Sequence, residues 1–192
     1  MNEQEWISLF NSMYPGFFER EGIRGLEENQ VFDEMILPLN GFDPQKYDKK
    51  LERGISFGFY EGSMETIRKA VEKVEPSWVP YYGEESRIYC GYVDGEIASF
   101  CLVEHPGVYC VGGREAKIGA PGCVGTVPEY RCKGIGLTMV GRVTQILKDE
   151  GCDYSYIHYT GVAPWYAKLG YETLLRWDRN GVRQCPWIGQ SC

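Results

Sequence analysis

The stretch VPEYRCKGIG, residues 127–136, stands directly ahead of LTMVGRVTQILKDEG, in which Met139, Val140, Val143, Ile146 and Leu147 fall on one helical stripe. Two cations and two glycines therefore sit where a helix begins. A helix N-terminus exposes N–H groups that have no intrahelical partner and carries a partial positive charge, so it attracts anions. Gly134 and Gly136 let the oxygens of an anion approach those amides, and Arg131 and Lys133 add positive potential at the rim. The stretch reads as a phosphate cup, with a plain glycine-containing turn between strand and helix as the bland alternative. A dinucleotide fingerprint needs a third glycine where this chain has Met139, and a Walker loop needs Gly-Lys-Ser/Thr, which is absent.

The surrounding pattern alternates. Trp6, Leu9, Phe10 and Met13 recur at helical spacing and stop at Pro15-Gly16, and NQVFDEMILPL predicts a second helical piece before Pro38. ISFGFYE reads as a strand, and Ser63 caps a helix carrying Met64, Ile67, Ala70, Val71 and Val74 on one face. RIYCGYVDGEIASFCLVE reads as two strands joined at Asp94-Gly95, a turn that needs positive φ. A further hairpin at Gly112-Gly113 leads to AKIGAPGCVGTV, whose proline and glycines predict a bulged strand. After the helix described above, with Gly151 at its end, come the strand DYSYIHY, a short helix from Pro164 to Gly170, and a last hairpin of YETLLRW and VRQCPWI. This is an α/β (α+β) arrangement: a mixed sheet of about six or seven strands with helices on its faces.

Length and charge narrow the function. At 192 residues with 43% hydrophobic content the chain fits one domain, 1–192, with residues 1–52 as an N-terminal helical extension packed on a core of 53–192. The net charge of -7, without a basic tail or run, argues against nucleic acid as a partner and suits an amine-bearing one. The N-terminus has acidic residues where a signal peptide needs positive ones, and no segment approaches a membrane span, so a cytoplasmic protein with no membrane partner is expected. Its eight cysteines, Cys192 among them, then read as reduced thiols. With no C-x-x-C pair and only His105 and His158, no metal is expected.

VGTVPEYRCKGIG, the helix after it, and PWYAKLGYE about thirty residues downstream together resemble the GNAT superfamily of acyl-CoA-dependent N-acyltransferases over roughly 53–180. The resemblance implies the GNAT fold, with a central, mostly antiparallel sheet, and acetyl-CoA as cosubstrate. It assigns the backbone of Val124, Gly125, Thr126 and Val127 to the pantetheine arm. It assigns Arg131, Cys132, Lys133, Gly134, Ile135, Gly136, Leu137 and Thr138 to the diphosphate. The Tyr-x-x-x-Gly-Phe/Tyr signature appears as Tyr166, Gly170 and Tyr171, which makes Tyr166 the general acid. Two positions depart from the family pattern: Cys132 stands where many members have Gly, and Tyr159 where many have Asn.

The activity implied is transfer of an acetyl group to a primary amine of a small molecule or protein by direct attack in a ternary complex. Alternatives are a catalytically silent GNAT-fold module that binds or senses CoA, and an unrelated nucleotide-binding domain. Glu104 and His158 are the candidate bases; Cys123 or Cys132 as a nucleophile has no nearby base in sequence. Trp78, Tyr81 and Tyr82 with Glu84 and Glu85 read either as a site for a cationic amine or as packing. Residues 1–52 either cover the acceptor groove or make a homodimer contact.

Overall fold

The start of the chain folds as a helix because Asn2 and Glu5 cap it reciprocally: the Asn2 side chain accepts from the Glu5 N–H at 3.0 Å and the Glu5 carboxylate accepts from the Asn2 N–H at 2.7 Å. The computed structural model describes residues 2–47 and 51–186. In chain order the elements are α1 (Glu3–Met13), α2 (Glu21–Arg24), β1 (Phe32–Pro38), β2 (Ile55–Phe59), α3 (Met64–Glu72), β3 (Ile88–Val93), β4 (Glu96–Val111), β5 (Arg114–Thr126), α4 (Ile135–Asp149), β6 (Tyr154–Thr160), α5 (Ala163–Tyr166), β7 (Glu172–Asp178) and β8 (Gly181–Gln184). The eight strands form a mixed, mostly antiparallel sheet flanked by helices. Cys192, and Trp187 and Ile188 of the expected last strand, lie outside the described residues.

One expectation is overturned. Residues 32–38 are strand β1, not a helix. Glu34, Met35, Ile36 and Leu37 are all buried, and a strand covered on both faces shows the same unbroken apolar run as a buried helix, so periodicity does not separate them. β1 pairs antiparallel with β6 and with β7. It raises the strand count above the six or seven expected.

The chain gathers into two compact units, and β4 and β5 contribute residues to both. In the unit made of 1–39, 106–119 and 152–192, β6, β1, β7 and β8 pair in that order and β5 runs parallel to β6 at Ile118–Tyr154 and Gly119–Ser155. Its core joins Trp6 and Phe10 of α1 to Ile36, Ile118, Tyr156 and Trp177 of the strands. In the unit made of 40–105 and 120–151, β2, β3 and β4 pair antiparallel, and Ile67 and Val71 of α3 pack with Tyr82, Cys90, Phe100 and Val127. Asp94 at φ 50° and Gly95 at φ 88° make the predicted tight turn between β3 and β4. Ser63 accepts from the Thr66 N–H at 3.3 Å as the cap of α3.

Candidate active site

The expected phosphate cup lies wholly in the unit that carries α4. Cys132 (φ 63°) and Gly134 (φ 81°) are both left-handed, and Gly134 is the N-cap of α4, with no side chain capping it. By helix geometry the N–H groups of Gly134, Ile135, Gly136 and Leu137 have no partner within the helix. Thr138 is the first to close a bond back, to Gly134 O at 3.1 Å. No carboxylate sits in the first turn to compete for those amides. Arg131 is exposed and its Nε donates to Thr126 O at 3.1 Å, tying the loop to the end of β5. Lys133 Nζ lies 5.5 Å over the Tyr130 ring.

Upstream, β5 carries a non-glycine residue in the left-handed region, Cys123 at φ 44°, the backbone conformation of a β-bulge. Tyr82, fully buried, donates its hydroxyl to Cys123 O at 2.8 Å. Gly125 has no room for a side chain, since a Cβ there would run into the Phe100 ring, and a Cβ at Gly122 would run into the Glu104 carboxylate. Val127 gives its N–H to Ala98 O at 2.9 Å, so that amide is already partnered in the sheet. Burial pushes the thiols of Cys90 and Cys123 up to about 12 and that of Cys101 well above its usual value. They stay neutral and unsuited to nucleophilic attack.

Glu104 is exposed at the surface of β4, with its carboxylate against the backbone of Gly122. Its neighbour His105 joins a different cluster: Arg87 grips Glu150 through two N–H bonds, at 2.6 and 3.2 Å, and His105 Nε2 is 2.8 Å from the same carboxylate. The aromatic run at 78–82 does not assemble into one site. Tyr82 is core, Tyr81 is 63% exposed and Trp78 packs partly buried on that core, so packing is the better account.

Tyr166, Gly170 and Tyr171 come together in the other unit. Tyr166 ends α5, buried, with its ring 4.8 Å from Trp165 and 6.0 Å from Tyr171. The Tyr171 hydroxyl is 2.7 Å from Ser155 Oγ. His158, in the same unit, is held on two sides: Nδ1 lies 2.9 Å from Glu34 Oε2, and the ring stacks on Tyr14 at 3.8 Å. Glu34, 0% exposed, also accepts from the Tyr159 N–H at 3.1 Å and Trp177 Nε1 at 2.8 Å. Sequence inspection missed Glu34, and it read Tyr82 only as part of an amine site or of packing, not as a partner of Cys123. The signal for Glu34 was the acidic pair Asp33 and Glu34 at the head of the apolar run FDEMILP, where a buried carboxylate requires donors; nothing in the sequence pointed from Tyr82 to Cys123.

Among the described residues, no group of three or more His, Cys, Asp or Glu side chains is arranged to hold a metal ion, and no helix is long and apolar enough to cross a membrane. No curated protein matches the chain in sequence. Its fold is similar to the glucosamine N-acetyltransferase region of a fungal multi-domain GH3 β-N-acetylglucosaminidase, with 19% identity over 78% of this chain and 20% of that one and a TM-score of 0.65. GCN5-related N-acetyltransferases from Sphaerobacter thermophilus (19% identity, 76% of this chain and 49% of that one, TM-score 0.56) and Kribbella flavida (15%, 83% and 60%, TM-score 0.54) are also similar. The chain thus spans from a fifth to three fifths of the length of these solved chains. The match in sequence is to the acetyltransferase (GNAT) domain over residues 54–174, well over half of the chain, and with the glycine loop before α4 and the tyrosine signature at α5 it makes this protein a member of the GNAT acetyltransferase family.

Proposed function

We propose that the protein is an N-acetyltransferase that moves the acetyl group of acetyl-CoA to a primary amine of a small molecule or a protein. The observation that carries this is the start of α4. An uncapped helix end with no acidic first turn, preceded by two left-handed residues and flanked by exposed Arg131 and Lys133, suits a diphosphate. The amides of Val124, Gly125 and Thr126 are those assigned to the pantetheine arm, the Val127 amide being engaged with Ala98 O.

An amine with a reference pKa near ~10.4 must lose a proton before it attacks, at a cost of about 4.6 kcal/mol at pH 7. Glu104 is the favoured acceptor of that proton, because its carboxylate is exposed and lies against Gly122, next to the bulge that precedes 124–126. His158 is less suited, with Nδ1 on Glu34 and its ring against Tyr14. As the amine nitrogen bonds to the thioester carbon, backbone N–H groups of 124–126 stabilise the oxyanion. The C–S bond then breaks and the Tyr166 phenol donates its proton to the departing thiolate, whose conjugate thiol has a reference pKa of about 8.5, while the second proton of the amine nitrogen leaves as the amide forms and restores the phenol.

The test is an amine panel incubated with acetyl-CoA and followed by free-thiol release. At least one amine should release thiol, and Tyr166→Phe should lower kcat about 100-fold while KM for acetyl-CoA stays within about twofold. Tight CoA binding without thiol release for any amine would favour a silent CoA-binding module instead.

A further inference from the structure

We propose that Tyr82 is a positioning residue for the acyl-CoA strand: its buried hydroxyl, by holding the Cys123 carbonyl, sets the bulge that turns residues 124–126 toward the pantetheine arm. The proposal rests on the acyl-CoA reading above and assigns a role that neither the family match nor the sequence singles out.

Cys123 at φ 44° is the only residue between Arg114 and Thr126 in the left-handed region. A left-handed residue in a strand rotates the peptide planes on either side of it out of the ladder, and a β-carbon makes that conformation unfavourable unless other contacts hold it. Those contacts come from one side chain and its support. Tyr82 Oη donates to Cys123 O at 2.8 Å. The Tyr82 backbone is fixed in turn: its N–H bonds Val79 O at 3.2 Å and its carbonyl accepts from Arg68 Nε of α3 at 2.8 Å. Its ring meets Phe100 edge to face at 5.6 Å and 90°, and Phe100 fills the space that a side chain at Gly125 would need. One buried tyrosine thus fixes the bulge through its hydroxyl and the strand two residues on through its ring. Just past the end of β5, the Val127 N–H reaches Ala98 O of β4. The left-handed residue and this bond bracket 124–126, the residues assigned to the pantetheine.

Burial raises the Tyr82 phenol far above its ordinary range, so it remains a neutral donor at every pH at which the protein is folded. Removing the hydroxyl leaves the ring and the core around it in place. It also frees the Cys123 carbonyl to move, which should spoil recognition of the pantetheine arm without touching the diphosphate loop.

The experiment compares the affinities of acetyl-CoA and of ADP, which carries a diphosphate but no pantetheine, for wild type, Tyr82→Phe and the core control Ile67→Val by titration calorimetry. Expected is a rise of about tenfold in the acetyl-CoA Kd of Tyr82→Phe with the ADP Kd unchanged, while Ile67→Val leaves the ratio of the two constants as in wild type. A Tyr82→Phe ratio equal to that of wild type, or an equal loss for both ligands, would overturn the positioning role alone. Failure of wild type itself to bind acetyl-CoA would remove the acyl-CoA reading and this proposal with it.

Discussion

Strands β5 and β6 each carry a non-glycine residue in the left-handed region, Cys123 at φ 44° and Tyr159 at φ 54°, and the two are held by opposite chemistry. At Cys123 a neutral phenol donates to the carbonyl. At Tyr159 a buried carboxylate, Glu34, accepts the N–H and has two further donors, from His158 and Trp177. A neutral clamp needs one partner. A charged clamp is tolerable in the interior only while several donors surround it, because the desolvation of the ion must be offset by those bonds. The first clamp can therefore be altered one bond at a time, whereas the second stands or falls together.

Glu34 is the group whose loss should cost the most. Glu34→Ala should destabilise the protein by about 3 to 5 kcal/mol in urea unfolding, since it leaves three donors without their acceptor in the interior; a cost near 1 kcal/mol would mean that the carboxylate is not structurally special. Tyr82→Phe, by contrast, should cost about 1 kcal/mol in the same assay, the net worth of one neutral hydrogen bond. The backbone itself is probed at Cys132, left-handed at φ 63° but exposed and without a clamp of either kind. Relief of strain offset by the greater freedom of glycine in the unfolded chain should make Cys132→Gly more stable by about 0.5 kcal/mol in thermal unfolding.

The smallest effect is electrostatic and separates surface charge from either clamp. Hydrogen bonds from Arg87 hold the Glu150 carboxyl below its ordinary value of 4.5. A depressed folded-state value means that this contribution to stability is complete above about pH 4.5 and is lost as pH falls through the folded value. With Arg87 42% exposed, solvent screening limits it to well under 1 kcal/mol. Glu150→Gln should lower stability at pH 7 by well under 1 kcal/mol and flatten the profile between pH 6 and 3, so that variant and wild type converge at low pH.

The departures of Cys132 and Tyr159 from the family pattern share a cause that becomes visible only in the backbone. Both positions require positive φ, which glycine adopts freely and asparagine tolerates better than most residues. The hairpins at Asp94-Gly95 and Gly112-Gly113, the Ser63 cap and the extent of α4 were legible, because turn and capping preferences act over two to four residues. β1 was not. Its residues lie outside the matched segment 54–174, yet they pair with β6 from within it and with β7, which straddles its end. Nothing local to FDEMILP states that two strands more than a hundred residues away will cover its edges.

The sequence alone determined the elements whose causes are local: the glycine loop ahead of a helix, the tyrosine signature, the alternation of strand and helix, and the family that these mark. Tertiary structure alone decided that Glu34 is a buried carboxyl group gathering donors from β6 and β7, and that Tyr82 of all the tyrosines holds Cys123. The physical reason is range. Capping, turn formation and amphipathic spacing are interactions between neighbours in the chain, whereas a buried hydrogen bond depends on which distant segment packing brings alongside.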